Sequence, residues 1–164
     1  MRRALTICAI AACALAVAPA SATTRSKYLW ATINICNTPD DEGTKALGIR
    51  GSIAGDGQRT RMYMRFHVQY YKSATQEWVD VTGDPVTKWM YAGLGIYRSS
   101  QQGWTFGITP QPGATLTLRG VVDFKWTKRG HVVRTARVTT KGGHPNTVGA
   151  DPKDYSAALC DITS

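Results

Sequence analysis

LTLRGVVDFKWTKRGHVVRTARVTT, Leu116 to Thr140, is the stretch whose reading decides the fold. Its first half alternates. Leu116, Leu118, Val122, Phe124 and Trp126 share one face, with Gly120 in the same register, while Thr117, Arg119, Val121, Asp123 and Lys125 share the other. A period of two, rich in aromatic and β-branched residues, predicts a half-buried strand. Thr127-Lys128-Arg129-Gly130 is polar and ends in a residue that tolerates positive φ, and a second β-branched run follows from Val132 to Thr140. The whole therefore reads as a long hairpin.

Thr60 to Lys72 repeats the pattern. Met62, Met64, Phe66, Val68 and Tyr70 make a core face, and Tyr63, Arg65, His67, Gln69 and Tyr71 an outer one. Glu77 to Thr82 pairs back after the polar Ser73 to Gln76 turn. Upstream, Tyr28 to Cys36 and Ala46 to Ala54 read as strands, with Leu29 or Trp30 setting the buried parity of the first. The acidic Asn37 to Gly43 is a loop, and Gly55-Asp56-Gly57 a tight turn. Lys88 to Arg98 reads as a strand bent at Gly93 and Gly95. Ser99 to Gly103 reads as a loop, Trp104 to Ile108 as a short strand, and Lys141 to Ser156 as a loop before Ala157 to Ile162 returns to the body. No segment after the first shows apolar spacing of three and four over eleven or more residues, so no helix is expected. Eight or nine strands in one domain, residues 23–164, predict an all-β, immunoglobulin-like sandwich with Greek-key connections, a closed barrel being the alternative.

Residues 1–22 read as an export signal. Arg2 and Arg3 precede the apolar Ala4 to Val17, and Pro19-Ala20-Ser21-Ala22 supplies a small-residue cleavage site. The apolar run is shorter than the roughly 18 residues a spanning anchor needs. Ile10-Ala11-Ala12-Cys13 also matches a lipid-attachment pattern, an alternative that sits early in the run. Cleavage after Ala22 takes two arginines from a chain of 164 residues and net charge +9, leaving 142 residues and +7. A secreted chain of that charge favours anionic partners. Cys8 and Cys13 leave with the signal, and in an oxidising compartment the remaining Cys36 and Cys160 are expected to form one disulfide that staples the two ends.

With its alternating hairpins, Asn34-Ile35-Cys36-Asn37-Thr38 near the start, Leu118-Arg119-Gly120-Val121-Val122 in the central strand and a cysteine near the end, the chain resembles small exported proteins of actinobacteria with an immunoglobulin-like or fibronectin type III-like domain. The resemblance implies a sandwich and brings no activity. The chain departs from antibody-type domains, because its cysteines are spaced as a terminal staple and no Tyr-x-Cys corner is present.

Catalytic signatures are missing from the sequence: there is no Gly-x-Ser-x-Gly, Ser-x-x-Lys or His-Glu-x-x-His. His67 falls on an outer strand face, His131 at a turn and His144 in a loop, so an enzyme is not expected, nor a cofactor. Asp40-Asp41-Glu42 resembles a calcium loop only faintly, and His144 with Asp151 lacks zinc spacing; no metal is expected. The leading candidate is a basic sheet face of Tyr63, Arg65, His67, Gln69, Arg119 and Lys125, bordered by Lys128 and Arg129. Its aromatic rings and cations suit an anionic polysaccharide or cell-wall polymer; nucleic acid is not the expected partner. Asp123 shares the face and is placed to pair with one of its cations. Parity leaves open which of Arg134 and Arg137 joins it. The competing reading is a solvated face with weak cross-strand pairs. A different function, inhibition of an extracellular hydrolase, would use the Thr140 to Pro152 loop.

Overall fold

A computed structural model describes residues 27–39, 44–83 and 86–164; residues 1–22, read as an export signal, with Cys13, and the Asp40 to Glu42 run lie outside them. Among the described residues nine strands form: β1 (Trp30–Pro39), β2 (Lys45–Ala54), β3 (Arg61–Lys72), β4 (Glu77–Asp80), β5 (Met90–Leu94), β6 (Ser99–Ile108), β7 (Thr115–Lys128), β8 (His131–Thr139) and β9 (Cys160–Thr163). No helix occurs among the described residues, and none is long and apolar enough to cross a membrane. The smaller sheet runs β1-β2-β6. The larger runs β4-β3-β7-β8, with β5 also on β3 and β9 also on β7. The fold is an all-β sandwich of two separate sheets rather than a closed barrel.

The alternation read in β3 and β7 is realised residue by residue. The two strands pair antiparallel from Arg61↔Thr127 to Tyr70↔Leu118, so their even-numbered residues share a face. Met62, Met64, Phe66, Leu118, Val122, Phe124 and Trp126 are fully buried on it, against Ile33, Leu47, Ile49 and Ile53 of the smaller sheet. Each such side chain contributes on the order of 1.5–3 kcal/mol by leaving water. Trp126 also satisfies its polar atom across the sandwich, donating Nε1–H to the Ala54 carbonyl at 2.9 Å. Gly120 keeps the core register without a side chain because a Cβ there would lie 2.7 Å from Ile49 and from Thr140. The hairpin turn holds Arg129 at φ 52° and Gly130 at φ 85°, both left-handed, as a two-residue turn matched to strand twist requires.

Three segments differ from the sequence reading. Lys88 to Arg98 is not one bent strand: β5 ends at Leu94, and Gly95 to Arg98 carries the chain across to the other sheet. This crossing packs against the one after β2, with Gly55 N–H on the Arg98 carbonyl at 3.0 Å and Gly57 N–H on the Gly95 carbonyl at 2.9 Å. A Cβ on Gly55 would lie 1.8 Å from the Tyr97 oxygen, so the contact requires glycine. Ser99 to Gly103 is not a loop either; it is the first half of β6, paired with Gly103↔Arg50 through Ser99↔Ala54. β1 begins at Trp30 and runs to Pro39, three residues beyond the expected end. Its parity follows Leu29, Ala31 and Ile33, yet Thr32 and Asn34 are buried too. The 144–157 segment covers them: Thr32 bonds Ser156, Asn34 donates to the Gly149 carbonyl at 2.9 Å, and Ala157 bridges Ile33.

Cys36 and Cys160 are joined across 124 residues, Cα atoms 5.6 Å apart, and Cys160 is buried against the core. The staple ties the β1 end of one sheet to β9 of the other. Cys36→Ala with Cys160→Ala is expected to lower the unfolding free energy by about 4–5 kcal/mol through the loop-closure entropy returned to the unfolded chain. Urea titration of the oxidised chain beside the variant measures it. A loss below about 1 kcal/mol would show that strand pairing alone holds the ends.

Candidate ligand-binding face

The odd-numbered residues of β3 and β7 point away from the core, so every residue of the expected face lies on one side of the larger sheet: Tyr63 opposite Lys125, Arg65 opposite Asp123, His67 opposite Val121 and Gln69 opposite Arg119. β8 extends the row, placing Arg137 opposite Asp123. This resolves the parity of the last strand. Arg137 joins the face, whereas Arg134 falls opposite Trp126 with its guanidinium 4.4 Å from that ring.

Asp123 is the electrostatic centre. Its Oδ2 accepts from Arg65 Nη2 at 2.9 Å, from His67 Nε2 at 2.7 Å and from Arg137 Nη2 at 3.2 Å; its Oδ1 accepts from Arg137 Nε at 2.6 Å. An ionised carboxylate has no proton to give, so His67 carries its hydrogen on Nε2. Burial by itself pushes the Asp123 carboxyl up, but the hydrogen bonds from Arg137, Arg65 and His67 outweigh it and hold the group well below the usual carboxylate range. The expected flat, solvated setting of His67 is corrected here. His67 is 7% exposed and Asp123 8%: the chain between β4 and β5 runs beside this part of β3, Val86 bridging His67 and Thr87 bonding Phe66 in both directions, while Arg65, His67 and Arg137 surround Asp123.

Around this centre the other cations lie over aromatic rings. Arg119 sits 4.2 Å from the Trp78 ring centre, and its Nε donates to Gln69, which in turn donates to Asp80. Lys125 is 4.1 Å from Trp89 and 5.1 Å from Tyr63, Arg65 is 4.8 Å from Trp89, and Arg61 is 5.2 Å from Tyr91. Such contacts are worth about 0.5–1 kcal/mol each at exposed sites. A depression of about 320 Å³ opens between Arg65, Trp89, Asp123, Thr135 and Arg137. Sequence reasoning missed Trp78 and Trp89 and left Arg137 undecided. Alternation in Glu77-Trp78-Val79-Asp80 would have put Trp78 on the face, but Trp89 lies in a segment with no such signal.

No protein-family model matches the chain, nor does any curated protein or solved structure. The remaining sites are thus described by geometry alone. His131 opens β8 beside the hairpin turn, and His144 stacks on Trp30 with ring centres 4.4 Å apart; burial pushes the His144 imidazole down. Among the described residues no three His, Cys, Asp or Glu side chains converge as a metal site would need. The 140–152 segment is pinned to the smaller sheet by Asn34 and by Arg50, whose Nη2 donates to the Val148 carbonyl. Burial pushes the Arg50 guanidinium down, and its Nε has no hydrogen-bond partner among the described residues. At the apex the Ala150 N–H closes on the Thr147 carbonyl at 3.3 Å with Gly149 at φ 73°, leaving Val148 71% exposed on a tight turn.

Asp123→Ala strands two guanidiniums and His67 without their carboxylate. Because Arg65 and Arg137 keep contact with water, the expected loss is near the low end for a broken buried pair, about 3 kcal/mol. The pH dependence has a definite sign. A carboxyl depressed by folding contributes stability that is complete above its unfolded value near 4 and lost as pH falls toward the lower folded value. Stability of the wild type should therefore fall as pH drops below about 4, and this component should vanish in Asp123→Asn. Urea midpoints between about pH 2 and pH 6 check it; superimposable pH profiles would remove Asp123 from the account.

Proposed function

We propose that this is an exported, non-enzymatic binding protein that holds an anionic polysaccharide or cell-wall polymer on the outer face of its larger sheet. One observation carries the reading. Arg61, Arg65, Arg119 and Lys125 are each held over an aromatic ring on one face, with Asp123 as the buried carboxylate that keeps Arg65 and Arg137 in place. Cations already fixed in orientation lose little freedom when an anion arrives, and the adjoining rings offer flat surfaces to a sugar. The depression on this face is open rather than enclosed, which suits a polymer lying across it more than a small molecule held within it.

Export is supported by the signal-like residues 1–22 and by the disulfide. An immunoglobulin-like relationship is supported by strand order. β1, β2 and β6 neighbour one another as strands A, B and E do in such domains, and β3, β7 and β8 as C, F and G do.

A second reading, an inhibitor of an extracellular hydrolase, draws on the projection of Val148 from a turn fixed by Asn34 and Arg50. It predicts inhibition of a protease accepting small aliphatic side chains, abolished in Val148→Glu.

Salt elution from heparin and polygalacturonate matrices tests the main proposal. Arg119→Gln with Lys125→Gln leaves the Asp123 cluster intact and is expected to elute at clearly lower salt than wild type, with Lys153→Gln, an exposed residue elsewhere, unchanged. Equal elution of wild type and the double variant on both matrices would sink the reading.

A further inference from the structure

Arg50 is a cation that the fold half buries without an acid beside it. It stands on β2, the central strand of the smaller sheet, opposite Thr32 of β1 and Gly103 of β6. Its neighbours Ile49 and Gly51 face the core, so its side chain lies on the outer face of this sheet, across the sandwich from the basic face. Buried guanidiniums elsewhere are compensated. Arg65 and Arg137 have Asp123, and Arg119 has Gln69 with Asp80 nearby. Among the described residues no carboxylate comes within ion-pair distance of Arg50. Burial pushes its guanidinium down, with no acid opposing.

Glycines let this guanidinium lie against backbone. A Cβ on Gly103 would stand 3.0 Å from Arg50 Nε and 3.1 Å from Cζ, and one on Gly149 3.3 Å from Nη2. Nη2 donates to the Val148 carbonyl, whereas Nε is buried with no partner among the described residues. Thr147 Oγ1, one residue before that carbonyl, is the other buried side-chain atom left without a partner there. Holding one carbonyl needs only a neutral donor, and a charge desolvated for that purpose alone is unfavourable. Beside Arg50 a depression of about 390 Å³ opens between Asn34, Ile35, Gly103, Thr105 and Gly149. Thr105 follows Gly103 on the same face of β6 and is exposed.

We propose that this depression binds a carboxylate, that of a small organic acid or an acidic sugar, with Arg50 supplying the charge and Thr105 a hydroxyl donor. The lining holds one cation and no acid. Charge balance therefore selects a monoanion, since a sulfate or phosphate dianion would lack a second cation. The planar guanidinium also matches a carboxylate in shape, and a bound carboxylate would offset the charge that the fold leaves uncompensated. The site is separate from the Asp123 face and does not rest on the polymer-binding reading.

NMR titration of the isotopically labelled protein tests it, with acetate, galacturonate and sulfate added at an ionic strength held constant by chloride. The signals followed are the Arg50 Nε–H and the amides of Gly103 and Thr105, which lie on the smaller sheet and do not report binding at the basic face. Wild type should show saturable shifts with a carboxylate at a dissociation constant of about 1–10 mM, and weaker binding of sulfate. Arg50→Gln, which removes the charge, and Gly103→Ala, which displaces the guanidinium, should each raise that constant about tenfold or more while keeping native circular dichroism. Saturation by acetate upholds the site for small acids, and saturation by galacturonate upholds it for acidic sugars. No saturable shift in wild type up to about 100 mM of either carboxylate, tighter binding of sulfate, or shifts that survive Arg50→Gln would overturn the proposal.

Discussion

The pairing of β3 with β7 is the constraint from which the rest of the molecule follows. Antiparallel partners share a face, so one register assigns Met62, Met64, Phe66, Leu118, Val122, Phe124 and Trp126 to the interior and Arg65, His67, Gln69, Arg119, Asp123 and Lys125 to the exterior. A slip of one residue by β3 would carry Arg65 and His67 into the core and Met62, Met64 and Phe66 into water, and a slip by β7 would exchange Arg119 and Lys125 with Phe124 and Trp126. That penalty exceeds anything the turns could contribute. The register is thus specified by the core, and the basic face is its obligatory reverse side. Core and candidate site are two faces of one ladder.

This is also why so much was legible. Period-two alternation over a dozen residues identified β3 and β7 and both of their faces, and two cysteines left after a signal-like N-terminus pointed to the staple. What the pattern could not show depended on neighbours in space. Ser99 to Gly103 alternates nothing, because an edge strand of small polar residues has little to bury; its pairing with β2 is stabilised by backbone bonds, which composition does not report. The parity of the strand holding Thr32 and Asn34 could not be read from its sequence, and both faces prove buried because the 144–157 segment folds over these two. His67 misled in the same way, since its surroundings include Asp123 on β7 and Val86, about twenty residues further along the chain. Trp89 reached the site in the chain between β4 and β5, which is held beside β3 by the Val86 bridge to His67 and the Thr87 bonds to Phe66.

Clustering cations on neighbouring strands raises an electrostatic difficulty that Asp123 answers. Arg65 and Arg137 lie one strand away on either side of it, and without the carboxylate each would repel the other through a partly desolvated region where screening is weak. A single aspartate on the central strand offsets both, and His67 consumes a remaining acceptor site. The arrangement leaves the face basic while removing its internal repulsion. The cost is burial of a carboxylate, which is acceptable only because every donor is present; the same dependence makes the cluster fragile to loss of Asp123 itself.

Arg119 and Lys125 are held differently, by rings rather than by acids. Burial pushes the Arg119 guanidinium down while Asp80 partly opposes it, so its indole contact keeps it oriented without cancelling its charge. A cation neutralised by a carboxylate has little attraction left for an external anion, whereas one resting on Trp78 or Trp89 retains its full charge. The face therefore divides by chemistry into a neutralising centre that fixes geometry and an aromatic-backed periphery whose charge is still available. Any anion that binds there must be drawn by the periphery, and an extended polymer is the shape that reaches both sides of Asp123 at once.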